Sequence, residues 1–274
     1  MPTRINIYTD RKGSNPGGKC LVTTPHSEFD AYIKYCPGTG HSRTNARLPT
    51  HFRPTHQPFY EAITLELARI VGLEVPDFYV LMRGSDLTFS FENHALQRGI
   101  NQGMPVYFVS KLMEIPLPGH EEKGAKEALA REKIYRDLLM VSDISNKAQN
   151  FRYDPNEDGM LYLDLGCSFV NAIEGRLEPH RGKLPIADKR NRKEAEKKAK
   201  EYALITADGE SIHTLEELID ITPSFQVPIL NPRGRIPIGR HLTEGEIEDI
   251  RELLTMNVLS FVRKYKDHER IVRV

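Results

Sequence analysis

The chain has 274 residues, with 38 Lys and Arg against 38 Asp and Glu, so its formal net charge at pH 7 is zero. That balance excludes a general electrostatic pull toward nucleic acid or an anionic membrane, and any polyanion site must be local. No apolar run approaches the ~18 residues of a transmembrane span. The first residues resemble no secretory leader, and Cys20, Cys36 and Cys167 lack metal-type spacing, which together predict a reduced, soluble, cytoplasmic protein with no membrane partner. The length suits one large core or two lobes.

The opening third reads as strands. Arg4–Tyr8 alternates apolar and polar residues, Cys20–Thr24 is β-branched and apolar, and Ala31–Tyr35 places Tyr32 and Ile33 before Lys34. Cys36–Pro58 is rich in Gly, Pro, His, Arg and Thr without periodicity and reads as a long loop. The spacing of Phe59, Ile63, Leu67 and Ile70 predicts a helix over Gln57–Val71, stopped by Gly72. Val75–Leu81 and Val106–Lys111 read as further strands, and Ile115–His120 as a linker.

Ala125–Ser142 is helical by composition, with Leu129, Ile134, Leu138 and Leu139 on its apolar side. Two short strands follow, Phe151–Tyr153 and Leu161–Leu163, joined by a turn from Asp154 to Gly159, and Asp164 comes directly after the second. Lys189–Tyr202 mixes charges of both signs as a solvated surface helix, and Pro223–Gly239 reads as an ordered loop over the core. A last helix opens on Thr243 as N-cap with Glu246 at the capping-box position, and Ile250, Leu253, Leu254, Val258 and Phe261 form its core face.

Three separated pieces have the chemistry of phosphate handling. Gly13, Gly18 and Lys19 nearly match a P-loop, but Cys20 stands where a Mg²⁺-binding Ser or Thr belongs, and Leu21–Pro25 favours a strand rather than the helix a P-loop opens. The stretch reads instead as a strand-turn-strand flap, whose glycine N–H groups can approach phosphates without a Cβ in the way. Lys34 ends an apolar strand beside that flap, and Glu61 in the next helix is the right kind of partner to pin its ammonium. Asp164 at a strand end before Leu165 and Gly166 suits a Mg²⁺ ligand on a tight turn, and Asn150 offers either a second ligand or an ordinary turn asparagine.

These residues, with the helix Tyr60–Ala68 running into Gly72–Pro76 and the segment Asn146–Phe151, resemble the HipA-like kinases, bacterial serine/threonine kinases distantly related in fold to phosphatidylinositol kinases. The resemblance spans residues 11 to 170 in order. It implies an α+β, two-lobed protein-kinase-like fold, with a β-rich N-lobe over residues 1–114 and a mainly helical C-lobe over 115–274. It implies ATP and Mg²⁺ as cofactors, with Gly13, Ser14, Gly17, Gly18 and Lys19 over the phosphates, Lys34 on them, and Glu61 as its partner. Asn150 and Asp164 would hold Mg²⁺, and Ser110, Lys111, Leu112 and Met113 would end the hinge strand against adenine. Ser14 would be open to autophosphorylation, and the partners would be a protein substrate or a cognate, antitoxin-like regulatory protein, with no direct nucleic acid.

The chain departs from the family where the catalytic aspartate is expected, five residues before Asn150, because Ser145 stands there. Serine cannot take a hydroxyl proton as a carboxylate does, so Asp143 is the expected base, with Lys147 near the transferring phosphate. The alternative is a nucleotide-binding pseudokinase acting as a regulatory or interaction module.

Overall fold

The computed structural model describes residues 2–11, 15–36, 51–84, 86–113, 123–139, 141, 150–165, 189–205, 211–220, 226–230, 235–237, 239, 241–268 and 271–273. Gly13, Ser14, Asp143, Ser145, Lys147, Gly166, Cys167 and the expected linker Ile115–His120 lie outside these residues, as does most of the expected loop after Cys36.

The architecture mixes helices with a curled, mainly antiparallel sheet, in keeping with the α+β class. Six strands, β1 (Thr3–Ile7), β2 (Gly17–Thr23), β3 (Glu28–Lys34), β4 (Phe78–Met82), β5 (Leu87–Phe91) and β6 (Val106–Lys111), run in the order β4-β6-β3-β2-β1-β5. All neighbours are antiparallel except β1 and β5. Strand β5 and the short helix α2 (His94–Gly99), capped by Asn93, were not foreseen from sequence. Neither has a clean apolar period: β5 alternates half-buried and exposed residues, and α2 buries none.

The two faces of this sheet belong to different cores, as the two-residue period of a strand requires. Ile5, Ile7, Cys20, Val22, Ala31, Ile33, Tyr107 and Val109 face one way. Phe78, Val80, Val106 and Phe108 face the other, against helix α1 (Gln57–Ile70). A 3₁₀ turn, Pro54–His56, leads into α1, Pro58 sits in its first turn, and Gly72 ends it in the left-handed region at φ 82°. Every residue from Gln57 to Ala68 is buried, so α1 is enclosed on all sides rather than laid on the surface.

Part of the expected Pro223–Gly239 loop is strand. β11 (Gln226–Pro228) and β12 (Arg235–Pro237) pair antiparallel, and Ile229 bridges Val80 so that this segment covers the β4 edge. Val227 and Ile229 are buried, and that burial favours backbone pairing over open loop. β7 (Phe151–Asp154) and β8 (Gly159–Tyr162) form the expected hairpin, with Asp158 in a left-handed turn at φ 47°.

The single helix expected over Ala125–Ser142 is broken in two, α3 (Lys123–Arg131) and α4 (Lys133–Leu138). At the break, Glu132 turns its carboxylate to the Tyr162 hydroxyl at 2.7 Å and the Met160 amide at 3.3 Å, a tertiary demand that composition does not carry. Helix α5 (Lys189–Ala199) stops short of Tyr202, which instead opens β9 (Tyr202–Ile205) between β10 (Ser211–Thr214) and β13 (Ile271–Arg273). Helix α6 (Leu215–Asp220) and the long α7 (Glu244–Tyr265) follow among the described residues, and α7 carries the expected capping box of Thr243 and Glu246. Asp137 on α4 binds Lys133, Lys264 and Tyr265, which fastens α4 to α7. Among the described residues no helix is long and apolar enough to cross a membrane.

Candidate functional site

Strand alternation sets the site. Ile33 faces the core opposite α1, so its neighbour Lys34 must project toward α1, and its register partner on β6 is Phe108. The ammonium lies 5.2 Å from the Phe108 ring centroid, a cation–π contact that adds to the ion pairs. Glu61, one turn into α1, closes an ion pair with Lys34 Nζ. Asp164 Oδ1 accepts from the same ammonium at 3.0 Å.

The backbone brings Asp164 there from far along the chain. Glu74, just after α1, bridges Leu161, and its carbonyl accepts from the Tyr162 amide at 2.9 Å, which docks β8 beside the end of α1. The Asn150 carbonyl then accepts from the amides of Leu163 at 2.8 Å and Asp164 at 3.4 Å, folding the residues after β8 back over the start of β7. Asn150 is buried, and its backbone meets that of Asp164.

Accessibility separates the three charged groups. The side chain of Glu61 is 2% exposed and that of Lys34 12%, whereas Asp164 is 45% exposed. Glu61 is therefore a fixed internal partner, and Asp164 is the carboxylate of the two that reaches solvent. Burial alone would lower the lysine's pKa, but the charges of Asp164 and Glu61 outweigh it and hold Lys34 above the ordinary lysine range. The lysine is charged at any physiological pH.

The glycine stretch reaches the same place. Gly17 is the register partner of Lys34, and the Tyr35 amide donates to the Pro16 carbonyl at 3.3 Å. Gly17 and Gly18 lie within β2 rather than in a turn, and both are demanded by the sheet itself. A Cβ at Gly17 would stand 2.2 Å from the Ile33 carbonyl oxygen, and one at Gly18 would stand 2.2 Å from that of Thr9. Lys19 pairs with Tyr32 and so shares the sheet face of Lys34.

The expected hinge residues divide. Ser110 pairs with Tyr32 and lies on the Lys34 face. Lys111 pairs with Ala31 on the opposite face, its Nζ 6.0 Å from the Phe29 ring centroid. The amides of Lys111 and Leu112 already donate to the carbonyls of Asp77 and Asp30, each at 2.8 Å. Met113 closes the segment and is 40% exposed.

Sequence reasoning missed Phe108 and the clamp on the opposite side of the start of α1. The Phe108 signal was present, because it sits at the alternate position of a strand whose neighbours Tyr107 and Val109 face the second core. The clamp was not readable: Glu246, identified only as a capping-box residue, also accepts from Tyr60 Oη at 2.5 Å and lies 2.7 Å from His56 Nδ1.

No family model matches the chain, and a search of curated proteins returned no match either.

Proposed function

We propose that the chain is an ATP- and Mg²⁺-dependent kinase of HipA-like type, with a nucleotide between a β-rich lobe over residues 1–114 and a mainly helical lobe over 115–274. The observation that carries the reading is a largely buried lysine at a strand end, pinned by a helix glutamate and shared with a half-exposed aspartate that follows a hairpin. Phosphoryl transfer needs a cation fixed on the phosphates and an oxygen ligand for the metal at that distance, and little else from the side chains.

Lys34 supplies the cation, and Glu61 orients it by holding one side of the ammonium. The Asn150 backbone carbonyl bonds the Asp164 amide, so the two residues are neighbours, and the Asp164 carboxylate with the Asn150 side-chain amide oxygen would supply the hard oxygen donors that Mg²⁺ takes, its remaining positions left to phosphate and water. Bound there, the metal would neutralise charge on the phosphates. The glycine stretch opposite Lys34 would lie over the same phosphates, and Met113 at the end of β6 would meet the base. Asp143 is the proposed base and a protein serine or threonine hydroxyl the proposed acceptor, in the cytoplasm, with a cognate regulatory protein as a further partner.

Calorimetry with Mg·ATP tests the site. The parent is expected to bind, and Asp164→Ala to lose metal-dependent binding while its circular dichroism is unchanged, because the side chain it removes is half-exposed. Equal affinity in parent and variant would overturn the assignment. Incubation with γ-labelled ATP then separates the two readings: label on the chain or on a protein acceptor supports transfer, while tight binding without label favours the pseudokinase that Ser145 suggests.

A further inference from the structure

Helix α1 is gripped at two adjacent residues by opposite parts of the molecule. Glu61 faces β3 and holds Lys34, while Tyr60 faces away and donates its hydroxyl to Glu246 of α7 at 2.5 Å. Glu246 is fully buried and collects further bonds: His56 Nδ1 at 2.7 Å, the Thr243 amide at 2.8 Å and the Thr243 hydroxyl at 3.0 Å. The Tyr60 oxygen in turn accepts from the Arg53 amide at 3.1 Å, so the approach to α1 is tied to the same point. A capping box needs a Glu at this position only to bond Thr243, and a surface location would serve. Burying the carboxylate and giving it two partners from the start of α1 goes well beyond capping.

We propose that Glu246 is a positioning residue for the Lys34–Glu61 pair. By holding Tyr60 and His56, it fixes the rotation and depth of the first turns of α1, and therefore where the Glu61 carboxylate sits relative to Lys34. Loss of the grip would let α1 turn or withdraw, leaving the ammonium to Asp164 alone and drawing that carboxylate away from any metal. The inference rests on reading Lys34, Glu61 and Asp164 as a phosphate site, but its structural half, that Glu246 controls the pair, can be tested without nucleotide.

The experiment follows the Lys34 side-chain ammonium by ¹⁵N NMR in the full chain, with Mg·ATP calorimetry on the same samples. Glu61→Gln defines the signal of the broken pair. Glu246→Gln and the milder Tyr60→Phe are expected to move the Lys34 resonance toward that position. If α1 is engaged in only a tenth of the variant molecules, Mg·ATP affinity falls about ten-fold. Thr243→Ala weakens α7 without removing the bonds to Tyr60 and His56, and should leave the Lys34 resonance at its parental position, which separates positioning from general destabilisation.

Should Glu246→Gln fail to fold, Tyr60→Phe decides the question. A folded variant with the Lys34 signal unmoved and affinity within about two-fold of the parent would overturn the proposal. Movement of the Lys34 signal in a protein whose parent does not bind Mg·ATP would support the positioning role and remove the phosphate reading instead.

Discussion

At the scale of single residues, Lys34 is the point where opposing terms are largest. Desolvation works against its charge, and two carboxylates and an aromatic face work for it. Removing one member of such a buried set costs more than removing the set, because the remaining charge is stranded. Lys34→Met is expected to destabilise by about 3 kcal/mol, since it takes the ammonium away from the buried Glu61 carboxylate. The double variant Lys34→Met with Glu61→Gln should lose less than the sum of the single changes, with a coupling of about 1–3 kcal/mol in urea unfolding. Additive losses would mean that the pair contributes nothing of its own. Lys34 and Glu61 were legible in the sequence because a strand period and a helix period each fix one of them. Asp164 was legible as a carboxylate at a strand end. The sheet face of Phe108 was legible from its strand period, but its pairing with Lys34 and the Tyr60–Glu246 bond were not, because both depend on which elements pack together, and local period carries no such information.

At the scale of elements, the glycines of β2 show how one residue type can answer two demands. A glycine-rich stretch beside a lysine suggests a phosphate flap, yet Gly17 and Gly18 are required by close backbone approach within the sheet. Gly18→Ala should therefore destabilise the protein with no nucleotide present, by about 1–3 kcal/mol, as a lowered thermal midpoint. Gly84→Ala, where the nearest atom to a new Cβ is the Met82 carbonyl oxygen at 3.9 Å, should stay within about 0.5 kcal/mol. An equal, small effect at both would show that β2 yields easily. The long periodic elements, α1, α7 and β6, were readable almost to their ends. The short strands were not: β5 is held by pairing with the distant β1, and β11 and β12 pair with each other in three-residue runs too short to show an apolar alternation.

At the scale of the whole molecule, α1 and α7 meet through one carboxylate, and this gives the fold a specific acid limit. Burial would raise the Glu246 pKa, but hydrogen bonds from His56, the Thr243 amide and Tyr60, with the charge of His56, bring it from the ordinary 4.5 down to about 2. A folded value below the unfolded one contributes stability that is fully present above pH 4.5 and is lost as the pH falls toward 2. The shift corresponds to on the order of 3 kcal/mol. Glu246→Gln should thus be less stable than the parent at neutral pH, and the two should converge as the pH is lowered through this window in denaturant titrations. A constant difference from pH 6 to pH 2 would show that the carboxylate's charge is not what holds the helices together.

The strand order also bears on how the chain leaves the ribosome. β1, β2 and β3 emerge first and can pair at once as a meander, but β1 lacks its second neighbour until Leu87–Phe91 follows, and β3 until Val106–Lys111. At ordinary elongation rates of ~5–20 residues per second, the β1 edge stays open for roughly 3–11 s and the β3 edge for roughly 4–15 s. Ile5 and Ile7 on one open strand and Ala31 and Ile33 on the other would then stand without the core that covers them in the finished protein. The nascent chain is therefore most vulnerable to edge-to-edge association over the interval in which α1, which is still outside the sheet, is being made.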